Sequence, residues 1–163
     1  MEAEQETIGG TDTEPVRYAI DPGWYETRGR DFVAFVGARF CPSCQQQLGS
    51  EREERVPTVD STSGTVVFEP RRVSFGANPL AVIRDCCSKW QGYVPPGLPS
   101  MEVIFRIALA NGNRPMTPDE LQVEIQDWSG PGDRARLLSV EMLRRMLARD
   151  RFYGFQPADA AED

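Results

Sequence analysis

Cys41 and Cys44 stand in the stretch FCPSCQQQLG (40–49), two thiols separated by two residues with a proline inside the turn. A second pair, Cys86 and Cys87, is adjacent in sequence and lies well downstream. Four thiols match the needs of a borderline-soft divalent ion in a tetrahedral site, and a CxxC turn can aim backbone N–H groups at its two sulfurs. The expected metal set is therefore Cys41, Cys44, Cys86 and Cys87 around Zn2+. Neighbouring residues on a helix point about 100° apart. Cys86 and Cys87 reach one ion together only from a helix end or a turn; otherwise one of them ligates and Asp85 supplies the fourth position. The alternatives are unliganded thiols packed as small hydrophobes and redox or iron–sulfur use. A thioredoxin-type site wants its CxxC between a strand and a long helix, which QQQLGSEREE does not offer.

The chain contains no histidine. That removes Ser-His-Asp and Cys-His catalysis, HExxH metalloprotease chemistry and histidine-ligated fingers. No Gly-rich phosphate loop of the required spacing occurs, since GTVVFEPRR lacks the GK[ST] ending. Asp119, Glu120 and Glu124 fall on a solvated helix face. Four thiolates around zinc would leave no coordination position for water, so the expected site is structural and the protein is expected not to be an enzyme. No apolar run of roughly 18 residues is present, and the acidic N-terminus lacks a signal-peptide pattern. A cytoplasmic location is expected, where thiols stay reduced.

Charge is unevenly placed. The net charge is −7, yet residues 134–155 hold six arginines against two carboxylates, whereas residues 1–30 hold seven carboxylates against three arginines. Lys89 is the only lysine, a bias expected of a GC-rich, bacterial coding sequence. The basic cluster includes Arg144, Arg145, Arg149 and Arg151, and it is the candidate nucleic-acid surface. The acidic remainder opposes non-specific coating of DNA.

The elements that must position these groups read as follows. Residues 1–16 and the last six residues lack the apolar surface to offset ordering and are expected to be disordered. RYAIDPGWY (17–25) places aromatic anchors around a Pro-Gly turn. DFVAFVGARF (31–40) is rich in aromatic and β-branched residues and predicts a strand ending at Cys41. SEREERVPTVDSTSG (50–64) reads as polar chain with a turn, TVVFEP (65–70) as a strand, and RRVSF (71–75) as a candidate third strand, Pro70 between them suiting an edge or a break. NPLAVIRDCCSKW (78–90) opens with an Asn cap and Pro, which predicts a short helix. YVPPGLPS (93–100) reads as a linker and a domain boundary.

Helical periodicity follows. MEVIFRIALANG (101–112) predicts a buried central helix closed by Asn-Gly. TPDELQVEIQDW (117–128) has Thr117 as cap, Pro118 at the first helical position and Glu120 completing a capping box. SVEMLRRMLARD (139–150) is a third helix capped by Ser139, with Val140, Leu143, Met146 and Leu147 inward. RFYGFQP (151–157) predicts a short strand turning back over the bundle.

Two resemblances follow from these residues. CPSC after an extended stretch and before Gly49 resembles the knuckle of zinc-ribbon and treble-clef proteins, although those families offer a second CxxC in place of Cys86-Cys87. The three helices and terminal strand resemble a winged-helix domain, the branch of helix-turn-helix proteins with a phosphate-contacting wing. That resemblance implies that the third helix docks on DNA through Arg145 and Arg149, with Arg144 and Arg151 at its flanks. Protein docking is the alternative, through the aromatic surface near Phe152, Tyr153 and Phe155. The expected fold is α+β, with an acidic tail (1–16), a zinc-stapled β-rich module (17–97), a winged-helix-like three-helix domain (98–157) and a final tail (158–163).

Overall fold

The structure is a computed structural model and describes residues 14–159. Of the disorder expected over residues 1–16 and 158–163, residues 1–13 and 160–163 lie outside that range; Ala158 lies inside it, as the last residue of a strand. The chain runs β1 (Arg17–Ile20), α1 (Pro22–Glu26), α2 (Phe32–Gly37), α3 (Pro42–Gln47), β2 (Glu51–Val59), β3 (Val66–Ser74), α4 (Pro79–Asp85), α5 (Ser100–Ala110), α6 (Pro118–Trp128), α7 (Val140–Ala148) and β4 (Phe155–Ala158), with 3-10 turns at Cys87–Lys89 and Arg134–Leu137. The α+β class holds. The first part is less β-rich than its composition suggests, because four short helices accompany one hairpin.

The strand expected over 31–40 is a helix. Asp31 adopts an extended backbone and its carboxylate accepts the Ala34 N–H, so α2 begins with a side-chain cap. Phe32, Phe35 and Val36 then fall at helical spacing on one face. The Phe32 and Phe35 rings lie 5.1 and 5.5 Å from that of Tyr25, and Phe35 lies 5.3 Å from Phe105. A cap and an apolar stripe outweigh the weak β preference of Val and Phe, which mainly reports fit to a half-buried surface. The polar stretch after Cys44 is corrected in the opposite sense. β2 and β3 form one antiparallel hairpin, with Glu51 opposite Ser74, Arg55 opposite Pro70 and Val59 opposite Val66. Pro70 lies inside a continuous β3, which is an edge strand of its two-stranded sheet, so of the two alternatives the edge holds and the break does not.

The C-terminal helices stand where their local signals place them. Thr117 and Glu120 exchange side-chain and backbone hydrogen bonds at the start of α6, and Ser139 caps α7 through the Met142 N–H. Asn78 caps α4 in the same way. β4 pairs antiparallel with β1, Ile20 opposite Phe155 and Arg17 opposite Ala158. On its other edge β1 exchanges backbone hydrogen bonds with Met116, at Tyr18. Asn113, in the left-handed region at φ 61, extends that edge: its side-chain amide accepts the Ile20 N–H and donates to the Ile20 carbonyl at 2.8 and 2.7 Å.

A single core cluster draws on both sides of the proline-rich stretch. Tyr25, Val36, Ile83 and Cys87 share it with Ile104, Phe105 and Leu109 of α5, Ile125 of α6 and Leu143 of α7. Tyr93, within YVPPGLPS, is fully buried. Its hydroxyl donates to the Arg106 carbonyl, and Arg106 donates to the Tyr93 carbonyl. Glu102 of α5 ties the two sides electrostatically. It receives Arg39 at 2.8 and 2.9 Å and Arg106 at 2.9 Å, all three side chains being largely buried. Arg39 lies two residues before Cys41, so this network fixes the approach to the first cysteine pair.

Candidate metal centre

Cys41 is the N-cap residue of α3, and Pro42 opens the helix with the fixed φ suited to that position. Cys44 follows at i+3, one turn along the same face. The second pair comes from the far end of α4. Cys86, at φ −131 and ψ −65, leaves helical geometry, and Cys87 starts a 3-10 turn. That backbone break lets adjacent side chains converge where a continuous helix would splay them.

All four sulfurs lie within 4.8 Å of one another. Tetrahedral zinc with Zn–S bonds of about 2.3 Å requires S···S separations of roughly 3.8 Å, so the cluster could hold a metal ion with small side-chain adjustment. The Cys41 N–H donates to Cys87 Sγ at 3.2 Å, and Cys44 Sγ lies 3.5 Å from Cys86 Sγ. Cys41, Cys44 and Cys87 are buried, while Cys86 faces solvent. Asp85 is not part of the sulfur cluster. Its carboxylate is held by Arg84 at 2.8 Å, whereas Cys86 and Cys87 both bring their sulfurs into the cluster.

The electrostatics fit a deprotonating site. Burial pushes the thiols of Cys44 and Cys87 up, Cys87 to about 11. Cys41 meets the same desolvation but is brought down to about 6, because hydrogen bonds from the Ser43 hydroxyl and the Cys44 N–H stabilise its thiolate. The same surroundings favour a thiolate on Cys41 over one on Cys44 or Cys87. A divalent cation at the centre would supply the positive charge that stabilises thiolates on Cys44 and Cys87 as well.

The segment between the cysteine pairs leaves the body of the protein as the β2–β3 hairpin. Its base is closed by hydrogen bonds between Phe75 N–H and Ser50 O and between Gly49 N–H and Phe75 O. The Phe75 ring rests against Phe40, and Arg52 lies over Phe75 at 4.4 Å. Gly76 has φ +89, and a Cβ there would approach the Leu48 side chain to 2.8 Å, so the chain returns through a position that suits glycine. Beyond this base no residue of either strand is buried. Val59, Val66 and Phe68 are 70%, 62% and 60% exposed. The sequence reading missed this surface because EREER masks the strand; the readable signal was VPTV and TVVF flanking DSTSG.

The arginines of the basic region have separate environments. Arg144 and Arg145 both pair with Glu141, at 2.6 and 3.2 Å. Arg149 and Arg151 are exposed and have no carboxylate partner among the described residues. With Arg145 they border a shallow groove floored by Met101, Met146, Phe152 and Tyr153. Of the aromatic surface expected there, Phe155 is buried and Tyr153 packs 5.1 Å from Phe105; Phe152 alone is exposed. No helix among the described residues is long and apolar enough to cross a membrane. Compared with protein-family models, curated proteins and solved structures, the chain matches none.

Proposed function

We propose that this protein is a non-enzymatic interaction module in which a structural zinc ion closes the base of a projecting hairpin. The observation that carries the reading is the convergence of four thiol sulfurs to within 4.8 Å. Cys41, Cys44, Cys86 and Cys87 would be the ligands. An all-sulfur set selects a thiophilic ion, and zinc is the redox-inert choice for a small fold. Four thiolates leave no open position for substrate or water, hence no metal-centred catalysis. Cys44 precedes the hairpin and Cys86 follows it, so the ion links both of its approaches and limits how far its base can open. An isolated two-stranded hairpin is marginal in water, and a closed base offsets part of that weakness. Elemental analysis should find one zinc per chain. Chelation should lower the melting temperature, with recovery on adding Zn2+. Metal-free protein with an unchanged melting temperature would end the zinc reading.

Between the two partner classes raised by the sequence, the observations support protein. The order α5–α6–α7–β4 has the three helices and terminal strand on which the winged-helix reading of residues 98–157 rests. Yet the strand beside β4 is β1, from the opposite end of the chain, which leaves no hairpin wing there among the described residues to touch phosphate. Glu141 occupies Arg144 and Arg145. The most extensive exposed apolar strand surface lies elsewhere, on the hairpin. Gel-shift titration on mixed duplex at about 50 mM salt, where phosphate contacts count most, should show no binding. Salt-sensitive binding abolished by Arg145→Glu with Arg149→Glu would restore the nucleic-acid reading.

A further inference from the structure

The face of the β2–β3 hairpin carrying Val59, Val66 and Phe68 follows from its register. Asp60 N–H donates to the Thr65 carbonyl beyond one end of the ladder, and Phe75 N–H to the Ser50 carbonyl beyond the other. Hydrogen-bonded and non-hydrogen-bonded pairs alternate in an antiparallel ladder, so the pairs 51–74, 53–72, 55–70, 57–68 and 59–66 are all non-hydrogen-bonded. They share one face. Its distal half is apolar: Val59 beside Val66 and Pro57 beside Phe68, with Pro70 next. Its proximal half is charged, with Glu51, Glu53 and Arg55 on β2, Arg55 opposite Pro70, and Arg72 on β3. In a non-hydrogen-bonded pair the backbone nitrogens point to the outer edges. Pro57 and Pro70 therefore each remove one outward donor, one on each strand, without harming the ladder. This is how proteins discourage edge-to-edge strand addition. The edges are blunted, whereas the apolar face has nothing packed on it among the described residues.

We infer that the occupant of this face is the same face of a second copy of the chain, packed about a two-fold axis parallel to the hairpin. That axis sets β2 of one copy over β3 of the other, so each side chain meets the register partner of its own cross-strand neighbour. Val59 meets Val66, Pro57 meets Phe68, and Glu53 meets Arg72, each twice. A two-fold axis perpendicular to the strands would instead set each strand over its own counterpart and bring charged residues onto the apolar tip. Keeping the apolar tips together and setting Glu53 over Arg72, with Arg55 over Pro70, thus selects one geometry and makes the face complementary to itself, as an isologous interface requires. The inference rests on reading the hairpin as an interaction element. Its face measures about 30 by 10 Å from strand dimensions, well under the roughly 800 Å² per partner of standard stable interfaces. The dimer is consequently reversible and concentration-dependent.

Sedimentation of the full chain, with its metal content measured on the same sample, tests this. The parent should pass from monomer to dimer as concentration rises to about 1 mM, the weak end of specific association. Phe68→Asp should stay monomeric. Glu53→Arg and Arg72→Glu should each weaken self-association by roughly tenfold or more, since each sets like charges opposite each other at both symmetric contacts. An equimolar mixture of the two charge variants should recover the dimer. Within each variant hairpin residues 53 and 72 carry like charges, so only contact between chains can restore complementarity. The substituted side chains are exposed, and circular dichroism should confirm unchanged folds. A parent that stays monomeric throughout, a Phe68→Asp dimer, or a mixture no tighter than its components would overturn the proposal. Metal-loaded monomer would sink the dimer and leave the zinc reading standing; metal-free dimer would do the reverse.

Discussion

Glu102 is the carboxylate most committed to the fold. Burial raises its pKa, but hydrogen bonds from the Arg39 and Arg106 guanidiniums outweigh that and hold it below its ordinary value of 4.5. A folded-state value below the unfolded one gives stability that is fully present above about pH 4.5 and is lost as pH falls through the folded value. Removing the acid strands two poorly solvated guanidiniums, one of them stacked over Phe35 at 4.0 Å and Phe105 at 4.7 Å. Glu102→Ala should therefore cost about 3–5 kcal/mol, the range for breaking one partner out of a buried pair, read as a lowered urea midpoint at neutral pH. In Glu102→Gln, the fall in midpoint between pH 5 and 3 should be shallower than in the parent. An equal fall in both would assign the acid sensitivity elsewhere.

Among the elements, caps and glycines carry distinct energies. The box at the start of α6 satisfies two backbone donors through Thr117 and Glu120, so Thr117→Ala should destabilise by about 1 kcal/mol. Gly154, at the entry to β4, has φ +81, and a Cβ there would come within 2.7 Å of Tyr25 Cε2 and 3.1 Å of Trp24 Cε3. Left-handed backbone costs an L-residue roughly 1–2 kcal/mol, and displacing the Tyr25 ring adds to it. Gly154→Ala should thus exceed Thr117→Ala in cost and loosen the β1–β4 pairing, seen as faster amide exchange at Ile20 and Phe155. Equal costs for the two would mean that the ring and strand shift freely.

At the scale of the whole molecule, α5 is packed from both sides. Tyr25, Val36, Ile83 and Cys87 share its core with residues of α6 and α7, and β1 from the start of the described chain pairs with β4 at its end. Stability distributed this way predicts one cooperative unfolding transition, with far-ultraviolet and aromatic signals coincident. Chelation should shift that transition as a unit. Two separated transitions, one alone sensitive to chelator, would instead match an independent metal module ending near residue 97.

What the sequence determined by itself is whatever depends on a few consecutive residues. The caps at Asn78, Thr117 and Ser139 were legible because each satisfies backbone groups within one turn, and proline after Asn78 and Thr117 pre-sets the entering backbone. The thiols at 41, 44, 86 and 87 were legible as a candidate metal set from ligand type and number, and their sulfurs do cluster. Tertiary structure decided the rest. Residues 31–40 became helical because Asp31 caps them and the Tyr25 and Phe105 rings cover one helical face, against a β preference too weak to resist. Cys86 and Cys87 converge because the chain leaves α4 at Cys86, a backbone change no adjacent-cysteine pattern encodes. EREER became half of a hairpin because its partner strand, not its own composition, fixed its register. Strand pairing is a contract between distant segments, and hydrophobic alternation read on one of them cannot supply the other.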